Sequence, residues 1–510
     1  MPAIIPSVAR IGMTIEPVTI EVDVVPGLHS FRIVGLPDKS VDEAKERISS
    51  ALKNSGFKPP RSFAKRVTVN LAPADIKKEG GVYDTPMALG FLIDSRQMQP
   101  RISENTLVVG ELGLNGDVRP VRGTLLYALW AASNGFSSII VPPENANEAS
   151  LAHTITVLKA RNLSDIVAFF EQRKDLEKVP QAQYTAQQRA QHSLDDDFAI
   201  IQGQDHAKQA IEIAAAGGHH ILLQGPPGAG KTLLAKATRT ILPRLSHEEA
   251  IEITKIQSIT GALSHDSLTQ TRPFRAPHHT ASESALLGGR GLLPGEISRA
   301  HRGVLFLDEF PEFHRNVLEA LRQPLEQGSI SISRAQGNVT YPARFLMVAS
   351  ANPCPCGYFG DPEKQCSCTS TALVKYRRKL SGPLADRIDI HIRMERQPFR
   401  TLAKQEVSES STPIQERVQK ARNIQLVRFQ KEPIYTNAEM GVALIKKHCS
   451  IDASTEQFLE KIMKQYHLSG RAYHTILKVS RTIADLSGNA TIQLNDVALA
   501  TQYAQREYDM

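Results

Sequence analysis

ILLQGPPGAGKT, from Ile221 to Thr232, decides how the rest of this 510-residue chain is read. A short apolar strand runs into Gly225, Pro226, Pro227, Gly228, Ala229, Gly230, Lys231 and Thr232, and Leu233 opens a helical stretch, LLAKATRTIL. Every position of G-x-x-x-x-G-K-[ST] is matched. Glycines let a backbone wrap around phosphates, with successive N–H groups and a helix N-terminus as donors. Lys231 is then expected to reach the β- and γ-phosphates of a nucleotide, and Thr232 to ligate Mg²⁺. Such a loop between a strand and a helix is rarely a chance glycine-rich turn.

Downstream, GVLFLDE (303–309) is an apolar strand ending in two carboxylates. Beyond a phosphate loop, Asp308 suits the metal and Glu309 suits polarising the attacking water. An isolated Asp-Glu pair would more often be a solvated strand end. A third strand, FLMVASAN (345–352), ends in Asn352, an amide able to help place that water. The order of the three strands points to hydrolysis rather than binding alone.

Around this core the composition is ordinary. Hydrophobic residues make up 41% and charged residues 22%, as in soluble globular proteins. The net charge of +7 leans toward an anionic partner, yet no long segment is strongly cationic, so a nucleic-acid surface must be a local cluster. No apolar run reaches the length of a membrane span and the first residues alternate like a strand, so a cytoplasmic protein without a secretory leader is expected.

Residues 1–172 alternate strand-like runs (19–25, 31–34, 67–70, 138–141) with helical ones (41–54, 125–134). Residues 173–196 are polar and Gln-rich and read as a linker. Residues 197–395 carry the strand–loop–helix alternation of a parallel sheet, and residues 396–510 read as helical. The fold class is α/β.

Two inserts interrupt the core. The stretch 272–302 holds Arg272, Arg275, Arg290, Arg299 and Arg302, with Glu283 and Glu296 as its own acids. The stretch 328–341 alternates strictly and turns at residues 335–337, which reads as a β-hairpin with Arg334 near its tip. Arg275, Arg290 and Arg334 are the candidates for gripping DNA phosphates by charge. The bland alternative is that such arginines brace interfaces or acidic neighbours.

Four of the five cysteines form a C-x-C…C-x-C array: Cys354, Cys356, Cys366 and Cys368. Four thiolates so close can close a structural Zn²⁺ site, a redox pair or free thiols being the alternatives. Cys449 stands apart.

Several strings, PFRAPHHT (273–280), LGG (287–289), PGEISRAHRGVLFLDEF (294–310), NPCPCG (352–357) and LSGPLADRID (380–389), together resemble the AAA+ superfamily. Within it the resemblance is to the clade with an insert in its second helix, and more narrowly to the YifB/ComM family of magnesium-chelatase-like ATPases. It spans most of the chain. It implies an AAA+ core with a helix-2 insert and a pre-sensor hairpin, a helical lid, and Gly203 and Gln204 in the adenine-proximal loop. Arg387 takes the place of an arginine offered to a neighbouring subunit's γ-phosphate, a surface ion pair with Asp386 or Asp389 being the alternative, and Arg471 that of a lid arginine sensing nucleotide. Residues 61–126 resemble the Lon-protease fold, but its serine and lysine positions fall on Val82 and Leu125. That domain is therefore expected to be non-catalytic. The family implies a ring, in its usual form a hexamer, that uses Mg-ATP to move single- or double-stranded or branched DNA, and branch migration during natural transformation. A chelatase-like ATPase remodelling a protein partner and a nucleotide-gated scaffold are the rival readings.

Overall fold

The computed structural model describes residues 1–101, 105–181, 196–263, 268–334, 337–361, 363–380, 384–398 and 408–504, with the side chain of Arg290 outside that description. It is a mixed α/β chain with a helical C-terminal region.

The first sheet joins β1 (Ala3–Ile11), β2 (Thr14–Pro26), β3 (Ser30–Val34) and β4 (Lys65–Ala72) in the order β1-β2-β4-β3. Alternation drives it: Val18, Ile20 and Val22 of β2 point inward, and Val67, Val69 and Leu71 of β4 meet them. The helix Asp84–Asp94 packs on β1 and β2, and the helix Lys39–Asn54 packs beside it toward β3, its N-cap Asp38 accepting from the Val41 N–H, as capping requires.

A second sheet holds β5 (Thr106–Val108), β8 (Ser138–Val141), β9 (Thr156–Lys159) and β10 (Glu177–Lys178) in the order β10-β9-β8-β5. Between its first two strands lies the short hairpin β6 (Glu111–Leu112) and β7 (Val118–Arg119). β10 falls inside the stretch read as linker. Its two residues are exposed and charged and pair antiparallel with β9, so the edge strand leaves no hydrophobic period to read. Residues 182–195 of the same stretch lie outside the described residues.

The central sheet is parallel throughout, in the order β12-β13-β16-β11-β17 for β11 (Ile221–Gln224), β12 (Phe274–Arg275), β13 (Val304–Leu307), β16 (Leu346–Ala351) and β17 (Ile390–Arg393). Every residue of β13 and β16 is buried, the mark of a sheet covered on both faces. β12 corrects one boundary: Phe274 and Arg275 belong to the sheet edge, so the arginine-rich insert leaves the core only after them. The helices Ser411–Arg428, Ala453–Gln465, Gly470–Leu486 and Leu494–Ala504 follow the sheet.

The expected hairpin is present as β14 (Ser329–Arg334) and β15 (Gly337–Pro342), with Arg334 opposite Gly337. Its turn residues 335–336 lie outside the described residues. The hairpin rests on the β1–β2 turn. Gly12 sits there at φ +62°, and a Cβ on it would strike the Val339 side chain. Left-handed backbone and close approach both demand glycine. Gly12→Ala is expected to cost about 2 kcal/mol, read as a lower denaturation midpoint in urea at unchanged slope.

Candidate functional site

The phosphate loop follows β11 and turns into the helix Lys231–Ile241 through Gly230 at φ +89°, with Gly228 at φ +81°. A Cβ at either glycine would meet nothing within 4 Å, so the loop is a cradle open on one side. Lys231 reaches back across it. Its Nζ donates to the Gly225 carbonyl at 2.6 Å, the Pro226 carbonyl at 3.0 Å and Asn352 Oδ1 at 3.1 Å. Burial lowers the ammonium's pKa, while Asp308 and Glu309 pull it up.

β13 delivers Asp308 beside the loop. Thr232 Oγ1 donates to Asp308 Oδ2 at 3.2 Å, which places two hard oxygens together as Mg²⁺ requires. Ser350 of β16 holds the other Asp308 oxygen. Glu309 follows at φ +52°, a left-handed conformation uncommon for a non-glycine residue. Its N–H donates to Asp308 Oδ1 at 3.1 Å and to Ser350 Oγ at 3.3 Å. Its carboxylate is half exposed and lies 3.1 Å from His279 Nδ1. Two bonded groups therefore meet at the loop, Lys231 with Asn352 and Thr232 with Asp308, Glu309, Ser350 and His279, coupled by the pull of both carboxylates on Lys231. Ser350 and His279, the additional members of the second group, carry no motif of their own: one is a serine inside an apolar strand, the other one of two adjacent histidines.

A cleft of about 1000 Å³ runs from the loop past Gly225, Pro226, Gly228, Ala229, Gly230 and Leu233 to Ile201 and Met394. Pro227 faces the cysteine loop instead, where Gly357 packs on it. Gly203 and Gln204 both adopt positive φ, and Gln204 donates to the Ala229 and Glu395 carbonyls at 3.1 and 2.7 Å. That ties the segment 201–204 to the loop.

Arg387 and Arg471 lie elsewhere. Arg387 Nη2 pairs with Glu326 Oε1, and Arg471 Nη1 approaches the same oxygen at 4.0 Å. Neither arginine lines the nucleotide-sized cleft.

The insert's arginines divide. Arg272 is buried and bonds Glu249 at 2.7 and 3.0 Å as well as the Pro243, Arg244 and Arg302 carbonyls. Arg302 and His301 hold Glu252, and Arg299 holds Glu296. Opposing charge thus comes from the helix His247–Thr260 and not from the insert's own acids alone. Arg275 is half-buried, 3.8 Å from Glu296. Arg334 is exposed, beside Gly289, and Tyr341 Oη donates to the Leu292 carbonyl, so the two inserts pack together. Burial alone pushes Glu249 up, yet the Arg272 guanidinium and the Ser246 N–H hold it down at about 2. Its stabilising effect is therefore complete above the ordinary glutamate pKa and is lost as pH falls toward 2. Breaking this pair leaves an uncompensated buried charge. Glu249→Ala is expected to destabilise the fold by about 3 kcal/mol at neutral pH, with the deficit to wild type shrinking in denaturation curves taken below about pH 4.

The cysteines converge. All four Sγ atoms lie within 4.8 Å of one another, with Cys354 3.3 Å from Cys356 and 3.7 Å from Cys366. A tetrahedral Zn–S₄ centre needs S···S spacings of about 3.8 Å. Backbone N–H groups of Cys356, Phe359 and Cys368 point at Cys368, Cys354 and Cys366 sulfurs, as in the outer shell of thiolate sites. The cluster could hold zinc. In the N-terminal domain Val82 and Leu125 are buried and apolar. No helix among the described residues is long and apolar enough to cross a membrane.

Three family models match in succession: subunit ChlI of Mg-chelatase over residues 20–145, magnesium chelatase subunit ChlI over 197–402, and its C-terminal part over 408–504. The chain is 43% identical over 508 residues to competence protein ComM of Haemophilus influenzae, covering 98% of this chain and 97% of that protein. It is 41% identical to the Escherichia coli protein YifB, covering 97% and 95%. A magnesium-chelatase 38 kDa subunit of Rhodobacter capsulatus is 27% identical over 177 residues, 31% of this chain and 50% of that protein. With its phosphate loop, carboxylate pair and near full-length likeness to those two bacterial proteins, the chain belongs to the YifB/ComM family of magnesium-chelatase-like AAA+ ATPases.

Proposed function

We propose that the protein hydrolyses Mg-ATP and uses the cycle to move DNA as a ring of identical subunits, a hexamer in the form the family implies, driving branch migration of joint molecules. The observation that carries the hydrolytic half is the gathering at one loop of Lys231 bonded to Asn352 and of Thr232 bonded to Asp308 beside Glu309, with both carboxylates acting electrostatically on Lys231. Thr232 and Asp308 would hold Mg²⁺, which when bound neutralises charge on the phosphates. Lys231, now folded onto its own loop carbonyls, would turn to the phosphates. Glu309 would accept hydrogen bonding from the attacking water, and Asn352 would fix that water's position.

The DNA half is supported by the exposed Arg334 at the end of a hairpin that packs against the glycine-rich insert. Arg275 and Arg290 complete the candidate contacts, through phosphates rather than bases. The name ComM, a competence protein, supports natural transformation as the setting. Residues 1–172, without a serine–lysine pair at the expected places, serve in this reading as a scaffold. Residues 197–395 and 396–510 then act as motor and lid.

Steady-state ATP hydrolysis with and without single-stranded, duplex and four-way-junction DNA, beside a gel shift, tests this. Stimulation by DNA that vanishes in Lys231→Ala supports a nucleic-acid motor. ATPase activity with neither DNA binding nor stimulation rejects it in favour of a motor acting on a protein.

A further inference from the structure

The cysteine loop does more than close on itself. It leaves β16 directly after Asn352 and lies over the phosphate loop, where Gly357, at φ +86°, packs on Pro227 with no room for a side chain. From there it continues into the wall of the nucleotide-sized cleft, to which it contributes Phe359, Gly360, Asp361 and Glu363. Glu363 ties this wall to the segment after β17 through Arg396 at 3.1 Å.

Phe359 is the unusual member. The residue is 40% exposed, in a cleft otherwise walled by backbone, aliphatic, polar and charged groups. The Arg377 guanidinium, which lines the same cleft, sits 5.0 Å from its ring centroid, so an aromatic ring and a cation stand together in this wall. Its backbone N–H donates to Cys354 Sγ at 3.3 Å. The Cys354 carbonyl accepts from the Gly357 N–H at 2.9 Å. The residue that presses on the phosphate loop and the residue that presents an aromatic ring to the cleft are thus both hung on the same cysteine. A metal held by the four sulfurs would fix that cysteine and, with it, the ring.

We propose that Phe359 is a base-contacting residue of the nucleotide cleft, and that a metal in the four-cysteine site sets nucleotide affinity by holding Phe359 in place. This rests on the reading of the cleft as a nucleotide site. Aromatic faces stack on any base, and the loss of one such contact weakens binding by roughly tenfold or more. The stack acts on the base alone. The phosphate grip of Lys231 and the glycine-rich loop does not depend on it. A ligand of phosphates only is therefore the proper control.

The experiment measures binding of a fluorescent N-methylanthraniloyl-ADP by anisotropy, and its displacement by ADP and by inorganic tripolyphosphate. It uses the full chain as wild type, Phe359→Ala, Phe359→Trp and Lys231→Ala. Zinc content is read in parallel with a chromogenic chelator after thiol release. Phe359→Ala should weaken ADP about tenfold while tripolyphosphate affinity and one zinc per chain are retained, and Phe359→Trp should restore ADP binding. Wild type stripped of metal should match Phe359→Ala and recover when zinc is returned. ADP affinity unchanged in Phe359→Ala overturns the contact. Equal loss of ADP and tripolyphosphate, or stripped protein that binds ADP like wild type, overturns the metal's role through Phe359. Wild type that binds neither ADP nor tripolyphosphate, like Lys231→Ala, would instead remove the nucleotide site itself and the proposal with it.

Discussion

Glu309→Gln is expected to bind ATP as wild type does and to turn it over about 10³-fold more slowly, the range that a positioned general base contributes. The substitution keeps size and hydrogen-bonding reach and removes only the carboxylate's basicity. The geometry makes the result informative. The Glu309 backbone is fixed by N–H bonds to Asp308 and Ser350, so the amide side chain would start from the same place. Lys231 and Thr232, which belong to the loop, are untouched. Nucleotide affinity measured by anisotropy and turnover measured by phosphate release should therefore separate. Parallel loss of both would mean that Glu309 supports the loop's fold; full turnover would remove it from the chemistry. His279 sharpens the test. Its ring nitrogen faces the carboxylate at 3.1 Å, and it sits where β12 gives way to the arginine-rich insert. A carboxylate held by that insert is less available to water, and in the proposed DNA motor movement of the insert on DNA would release it. Under the DNA-motor reading Glu309→Gln should lower DNA-stimulated and basal turnover by the same factor.

What was legible in the sequence, and what was not, follows from how far apart the interacting residues lie. The loop between Gly225 and Thr232 is local, and its conformation is dictated by glycines at fixed offsets. The hairpin of β14 and β15 is local too, and the period-2 pattern of SISIS reads correctly. β8 appears at the bounds its apolar run suggests. The failures are long-range or very short. β10 and β12 have two residues each, too few for any period. The partners of Arg272 and Arg302 stand 23 and 50 residues earlier, on the helix His247–Thr260. A sequence shows the cations but not the fold that brings Glu249 and Glu252 to them. Ser350 is hidden for the same reason: it reads as a small residue in a buried strand, and only the parallel pairing of β13 with β16 brings it to Asp308.

The sharpest test of the ring is a pair of variants that are each dead and that revive one another. Arg387→Ala alone is expected to lose about 10³-fold in ATP turnover, since an arginine supplied to the transferring phosphoryl group contributes at least that much. The structure gives the reason to look across subunits. Arg387 and Arg471 share Glu326, while Lys231, Asp308 and Glu309 gather around the phosphate loop. Neither arginine is among the residues lining the nucleotide-sized cleft of its own chain. A chain carrying Lys231→Ala keeps Arg387 but not a working loop; a chain carrying Arg387→Ala keeps its loop but not that arginine. If the arginine serves a neighbour, mixing the two inactive proteins should create interfaces with one intact half from each. Turnover should then rise toward a quarter of the wild-type rate in an equal mixture, because a quarter of random interfaces pair an intact loop with an intact arginine. If Arg387 acts within its own chain, every subunit in the mixture stays defective and no ratio restores activity. Glu326→Gln separates the remaining possibility, that Arg387 only braces Glu326. It removes the ion pair and keeps the arginine, so it should leave turnover near wild type if the guanidinium's work is in trans, and should reproduce Arg387→Ala if the pair itself is what matters.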